Sequence, residues 1–258
     1  MHPSIPSHAH MPVGIPVPHC GLLYVPIPKA ACTSLKSLMG RLLGSAELER
    51  CPHDVPFSWE RLPSKQYHSL LSFTAVRNPW NRLASCFCSK IFHNATLTDE
   101  WMQNGVARFL LRYGGLFYGG MSFEAFVHAV CAIPDDEADN HFRSQFTFIT
   151  ADGSVVVDDI CHVETLQADM DAVFRSIGME PVTIPALNPR WQNQENAHYT
   201  PALHAMVAQR YATDIALFGY EKADSPSKNT FAGAAGFSGH TRITGTTPQP
   251  LQTVALHP

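Results

Sequence analysis

The chain has 258 residues, of which 45% are hydrophobic and 16% charged, with a formal net charge of −4. That apolar share suits one sizeable α/β core and excludes the composition of a disordered chain. The acidic balance argues against a protein that lives by unspecific DNA or RNA contacts, so nucleic acid is not expected as a partner, but a local basic site for a small anion needs only a few residues.

Residues 1–20 are rich in Pro and His and hold no Lys or Arg. They lack the charged start and apolar middle of a signal or transit peptide, and are expected to form a flexible arm. No apolar run in the chain approaches the ~20 residues of a membrane span. A single domain is expected over 21–222, and it opens with the apolar run 22–28, which reads as a buried strand. A short turn follows at 29–32. Thr33 to Leu43 then has helical spacing, with Leu35, Leu38, Leu42 and Leu43 on one side and Thr33 or Ser34 as the expected cap.

A second strand is predicted at 70–76. It ends at Arg77-Asn78-Pro79, and a helix runs on through Ile91 with Pro79 in its first turn. Further helices are predicted at 122–130, 166–177 and 201–218, with a short strand at 160–163. Strands alternating with helices imply an α/β fold with a central parallel sheet flanked by helices on both faces, and ligands in such folds sit at the carboxyl ends of the strands. Residues 223–258 are dense in Gly, Pro, Ser and Thr and are expected to be a disordered or loosely attached tail.

Seven cysteines, an odd number at irregular spacing, make a disulfide scaffold an unlikely design. Cys86 and Cys88 are two apart and form no CxxC pair. The fourteen histidines include no HExxH, and no metal site is expected.

Two strand-to-helix junctions carry the chemistry. In Pro28-Lys29-Ala30-Ala31-Cys32-Thr33-Ser34, small side chains let backbone N–H groups close on an anion. The helix start adds positive partial charge, Thr33 and Ser34 add donors, and Lys29 adds a mobile point charge. A Walker A loop is excluded, because the lysine precedes the turn and the glycines are absent. In Arg77-Asn78-Pro79-Trp80-Asn81-Arg82-Leu83-Ala84-Ser85, the guanidinium of Arg77 and the hydroxyl of Ser85 can hold a second phosphate.

On these residues the chain resembles the carbohydrate sulfotransferases that use PAPS (3′-phosphoadenosine 5′-phosphosulfate), in particular the Golgi chondroitin and dermatan branch. That family carries a PKxxxTS loop, matched by Pro28, Lys29, Thr33 and Ser34. It carries an RxPxxRxxS segment, matched by Arg77, Pro79, Arg82 and Ser85. Asn140-His141-Phe142-Arg143-Ser144-Gln145 resembles its HWxPQ-like segment, 162–166 its Glu-Thr-Leu segment, and 211–220 its closing helix and FGY ending. The similarity spans residues 22–221. Phe142 and Ser144 depart from the usual Trp and Pro, and His162 stands where the family often has glycine.

The resemblance implies a P-loop-like three-layer sandwich and sulfuryl transfer from PAPS to a hydroxyl of a saccharide or glycoconjugate, leaving PAP (adenosine 3′,5′-bisphosphate), with no metal required. Lys29 would neutralise the bridging oxygen. The 30–34 backbone, from Ala30 through Ala31 and Cys32 to Thr33 and Ser34, would hold the 5′-phosphate. Arg77 and Ser85 would hold the 3′-phosphate. His141 is implied as general base, with His53 and Glu60 as alternatives, since a histidine titrates near working pH. Arg143 is a candidate for an anionic acceptor, Glu164 for fixing a loop or helix start, and Trp80 or Phe87 for stacking on adenine. Cys32 is either a reactive loop thiol or a packing residue. Loops 92–121 and 178–200, with Trp101, Arg108, Arg112, Tyr113, Tyr118, Arg190 and Trp191, are expected to shape the acceptor pocket. Lacking the anchor of the Golgi enzymes, the chain is expected to be a soluble, cytoplasmic, bacterial relative starting at Met1. The rivals are an ATP-using, kinase-like phosphotransferase and a silent nucleotide-binding protein of the same fold.

Overall fold

In the computed structural model, which describes residues 5–44, 55–92, 106–185, 187, 197–220 and 241–242, strands β1 (Val13–Val17) and β2 (Leu22–Val25) form an antiparallel hairpin. Gly21 takes the left-handed φ of 71° that its turn requires. Residues 13–17 are therefore sheet and not part of a flexible arm. Pro16 escaped recognition as a strand residue because proline donates nothing to a ladder. It is tolerated here because the outer neighbour β3 (Glu60–Arg61) pairs only with Val13 and Gly14. Upstream, His8 bonds Thr150 Oγ1 at 2.7 Å and His10 bonds the Asp135 carbonyl at 3.0 Å, so this stretch too is docked.

Helix α1 (Cys32–Leu42) follows β2, and β4 (Leu71–Val76) leads into α2 (Pro79–Phe87). The predicted long helix here ends early, because Cys88–Phe92 form a π turn. Helices α3 (Val106–Tyr113) and α4 (Phe123–Cys131), a short 3₁₀ turn at Gln145–Phe148, the β5–β6 hairpin (Thr150–Ala151, Ser154–Val155), β7 (Asp159–His162) and α5 (Leu166–Ser176) come next. The helix predicted as one piece over 201–218 is two: α6 (Pro201–Arg210) and α7 (Ala212–Phe218). The break is at Tyr211, which is buried and donates its hydroxyl to the Phe142 carbonyl at 2.6 Å. Of the expected tail, Thr241–Arg242 form β8 against β7, and the rest lies outside the described residues.

The sheet order is β3-β1-β2-β4-β7-β8. Only β2, β4 and β7 run parallel, so the sheet is mixed rather than parallel throughout. The reason is connectivity: a short turn joins β1 to β2, and a tight turn forces antiparallel pairing. The parallel strands are buried on both faces, as their unbroken apolar runs require. Leu22, Tyr24, Phe73, Ala75 and Cys161 pack against α1 and α5, while Leu23, Val25, Val76 and Ile160 pack toward Phe146, Ile149, Phe218 and Tyr220. A third cluster, built on α2, α4 and α6, extends the core beside the sheet. The carboxyl ends of the three parallel strands lie side by side, and the loops at 26–31, 77–78 and 163–165 open there.

Candidate functional site

The loop after β2 is tightly wound. Lys29 and Ala31 both take left-handed φ values, 68° and 56°. Such angles are unusual for residues with a Cβ, and they cluster at functional sites where the surroundings enforce them. The Ala30 N–H closes the turn on the Ile27 carbonyl, so within 30–34 the open donors begin after Ala30. The N-cap residue is Ala31, not the expected Thr33 or Ser34, and it makes no side-chain cap hydrogen bond. Thr33 and Ser34 lie inside the first turn, which in any helix leaves its N–H groups without intrahelical carbonyls. Ser34 is buried, and its Oγ accepts from the Leu187 N–H at 3.2 Å.

Helix α2 is the opposite case. The Asn78 side chain accepts from the N–H groups of Trp80 and Asn81 (3.1 and 3.2 Å), with Pro79 at the first helical position. The Glu164 carboxylate in turn accepts from the Asn78 N–H at 2.9 Å and from the Tyr220 hydroxyl at 3.1 Å. Glu164 thus fixes the start of α2. Of the two helix starts, that of α2 is capped by its N-cap side chain and that of α1 is not.

Lys29 and Arg77 meet at the carboxyl ends of the adjacent central strands β2 and β4. The Arg77 guanidinium lies 3.4 Å from the Lys29 carbonyl. Neither side chain forms an ion pair among the described residues. Burial lowers the Lys29 ammonium to about 8, with Lys90 and Arg77 acting in the same direction and the thiols of Cys86 and Cys32 opposing. Burial also depresses Arg77, against the pull of Glu164. Two half-buried cations with no ion pair among the described residues form a site suited to an anion.

The Lys29 ammonium donates to Ser89 Oγ at 2.6 Å. Sequence reading missed Ser89, although it lies one turn beyond Ser85. Ser85 itself is buried on α2.

Gln145 holds Arg77 by its backbone. Its Oε1 accepts from the Arg77 N–H at 2.9 Å and its Nε2 donates to the Arg77 carbonyl at 2.8 Å. Gln145 is held by Asp214, whose carboxylate accepts from the N–H groups of Gln145 and Phe146, both at 2.8 Å. Burial raises Asp214 to about 6, opposed by those two N–H groups. The sequence pointed to both segments but gave no role to either residue.

His141 lies in the electrostatic field of Lys29 and Lys90. Its Nδ1 is 2.6 Å from Asp139 Oδ1, which also accepts from the His141 N–H at 3.0 Å. An ionised carboxylate only accepts, so Nδ1 carries the proton and Nε2 keeps its lone pair. Burial lowers the imidazole to about 4, with Asp139 opposing and the two lysines adding to the fall. Arg82, 2% exposed, donates to the carbonyls of Pro28 (3.0 Å), Arg143 (2.7 Å) and Asn140 (3.1 Å).

Other expected residues lie elsewhere. Arg143 is taken up with the His10 ring (2.7 Å) and the face of Phe148, so its guanidinium is directed at the N-terminal segment instead of an acceptor. Trp80 stacks on His204 with centroids 4.3 Å apart, and Phe87 packs among Phe92, Phe123 and Phe126, so both rings belong to the core and not to an adenine site. Glu60 sits in the outer strand β3 and accepts from Ser64, two strands away from β2. Cys32, expected in the loop, is the half-buried first residue of α1. Cys86 and Cys88 are buried, which pushes Cys86 up to about 12. His53, Trp101, Arg190, Trp191 and the Arg108 side chain lie outside the described residues, as does much of loops 92–121 and 178–200. Among the described residues, no group of three metal-ligating side chains comes together, and no helix is long and apolar enough to cross a membrane.

The family model described as "Sulfotransferase family" matches residues 15–221, a span that takes in most of β1 as well as every loop above. Carbohydrate sulfotransferase 10 of Homo sapiens is 25% identical over 234 residues, covering 79% of this chain. The protein of that name from Xenopus laevis is 25% identical over 232 residues (78% of this chain), and that from Gallus gallus 23% over 234 (79%). The chain spans 65% of the length of each of these curated relatives. No solved structure matches it.

Proposed function

The chain belongs to the sulfotransferase family, and on that premise we propose that it transfers the sulfuryl group of PAPS to a hydroxyl of a saccharide or glycoconjugate. The observation that carries this reading is the junction of Lys29 and Arg77, two half-buried cations with no ion pair among the described residues, beside the start of α1, whose N-cap residue makes no side-chain cap. That set of groups suits a ligand with two separated phosphates. The saccharide acceptor is suggested by the relatives' name, and the P-loop-like fold by the family.

When bound, PAPS supplies an activated sulfuryl group on a phosphate leaving group. The N–H groups at the start of α1, with Thr33 and Ser34, hold the 5′-phosphate. Lys29 sets its charge where negative charge develops on the leaving oxygen. Arg77, with Ser85, holds the 3′-phosphate and so separates PAPS from ATP. His141 does not titrate near working pH as expected: burial brings it to about 4, so it is neutral and a weaker base than a free imidazole, with Asp139 fixing its tautomer so that Nε2 takes the acceptor's proton.

Calorimetric titration with PAP, AMP and ATP in the absence of magnesium tests this. Micromolar binding of PAP alone, followed by PAP release from PAPS in the presence of saccharide acceptors, is the expected result. Equal affinity for the three nucleotides, or a requirement for magnesium, would overturn it in favour of a kinase-like enzyme. Tight PAP binding with no turnover on any acceptor would indicate a silent binding protein.

A further inference from the structure

Arg82 belongs to the segment that resembles a 3′-phosphate motif, yet all three of its nitrogens are engaged by main-chain carbonyls. Each of those carbonyls flanks a residue of the proposed chemistry. Pro28 immediately precedes Lys29. Asn140 precedes His141, and Arg143 follows it by two residues. One planar guanidinium, 2% exposed, thus ties the loop carrying the ammonium to the loop carrying the imidazole.

The surroundings reinforce the tie. The Tyr211 hydroxyl donates to the Phe142 carbonyl at 2.6 Å, so the carbonyls of 140, 142 and 143 are all held from α2 and α6–α7. On the other side, the left-handed φ of Lys29 leaves the Pro28–Lys29 peptide little freedom to reorient without losing the Arg82 bond. Lys29 and His141 are close enough for each loop's charge to be felt by the other, since Lys29 depresses the imidazole. Arg is suited to this task and Lys is not: its rigid fork presents several donors in fixed directions, whereas an ammonium is a single mobile point.

We propose that Arg82 is a positioning residue that sets the separation of Lys29 from His141 and does not contact the donor's 3′-phosphate. The proposal rests on the reading of Lys29 and His141 as partners in sulfuryl transfer. It assigns the two arginines of one motif to different tasks: Arg77 to the ligand, Arg82 to the geometry of the site.

The test compares wild type, Arg82→Lys and Arg82→Ala by PAP calorimetry, by PAP release from PAPS with saccharide acceptors or with water as acceptor, and by NMR of the His141 ring. In Arg82→Lys, PAP affinity stays within about threefold, turnover falls at least about tenfold, and the His141 ring resonances and their titration shift; the limits reflect loss of one of several oriented contacts. In Arg82→Ala, millimolar guanidinium restores part of the turnover. A fall in PAP affinity that matches the fall in turnover would make Arg82 a phosphate ligand and overturn the proposal, as would unchanged turnover together with unchanged His141 signals. If Arg82→Ala does not fold, Arg82→Lys decides by the same readouts. A wild-type protein that binds no PAP withdraws the proposed function instead, and the His141 signals of Arg82→Lys still report whether the brace exists.

Discussion

The Lys29 ammonium donates to the Ser89 hydroxyl at 2.6 Å, across 60 residues of sequence and from a loop to a π turn. A half-buried ammonium that has lost much of its water needs an acceptor, and here it has a neutral one. The bond favours the charged form of Lys29 without neutralising it, so the lysine stays available to an anion.

Replacing Ser89 by Ala removes that acceptor. The charged form of Lys29 is then less favoured, and the alkaline limb of kcat/KM, set by a group at about 8 in the free protein, moves to lower pH. A displacement of up to about one pH unit, equivalent to about 1.4 kcal/mol, is expected. The pH–rate profile is the measurement, and an unmoved limb would separate Ser89 from Lys29.

Lys29→Ala trades activity against stability. Turnover is expected to fall roughly 10²–10³-fold, as for loss of one preorganised charge at a reacting oxygen. Stability changes the other way. The folded state holds the Lys29 proton less readily than the unfolded chain, whose ordinary value is 10.5. Below about 8 the folded protein therefore bears the cost of a buried charge, and between about 8 and 10.5 wild-type stability rises as that charge is lost. The full effect is about 3 kcal/mol at most. Urea midpoints of wild type and variant across this window should converge as pH rises; parallel curves would show that burial does not act on Lys29.

Gln145 is hydrogen-bonded to the Arg77 backbone, so any effect it has on PAP binding is expected to pass through Arg77. Arg77→Ala should weaken PAP by about 2 kcal/mol and leave AMP unaffected, as expected for a charge-assisted contact to the 3′-phosphate. Gln145→Ala leaves the guanidinium in place but frees the backbone beneath it. Its preference for PAP over AMP should shrink by about 1 kcal/mol. Paired calorimetric titrations give both numbers. A Gln145 variant with unaltered preference would confine that residue to folding.

His141 is held neutral by burial, with its folded value near 4. The unfolded chain binds the proton near 6.5. Stability from the neutral imidazole is therefore complete above 6.5 and is lost as pH falls toward 4. Asp214, whose folded value is raised to about 6, works in the opposite sense over much of this range. The His141 contribution is therefore read as a difference: wild type should lose stability relative to His141→Phe as pH falls from 6.5 toward 4, which acid-titrated thermal melts of the pair can read. Asp139→Asn removes the ionised acceptor that fixes the tautomer. It should lower turnover by one to two orders of magnitude with PAP affinity retained, a split typical of an orienting group.

The two strand-to-helix junctions proposed to handle the anion were legible in the chain because they are local. Lys29, Thr33, Ser34, Arg77 and Ser85 fall at two strand-to-helix junctions, where short-range pattern and turn chemistry suffice. What escaped is long-range. Ser89, Gln145 and Asp214 are separated from their partners by 60 to 69 positions, and nothing in local spacing signals such a bond. The strand at Val13–Val17 was hidden by Pro16, whose compatibility with a sheet depends on where the neighbouring strand stops. The split of the last helix at Tyr211 likewise depends on a carbonyl at position 142.

The contrast between the two helix starts has a consequence for the life of the free protein. Asn78 caps α2 with its side chain, whereas Ala31, the N-cap residue of α1, makes no side-chain cap. An anion seated on α1 would be its missing terminal piece, so the final step of folding there and the capture of the donor would be one event. The melting temperature should then climb with PAP concentration, following the logarithm of ligand over its dissociation constant. In a cell, the resistance of this chain to unfolding and proteolysis would track the supply of its own nucleotide.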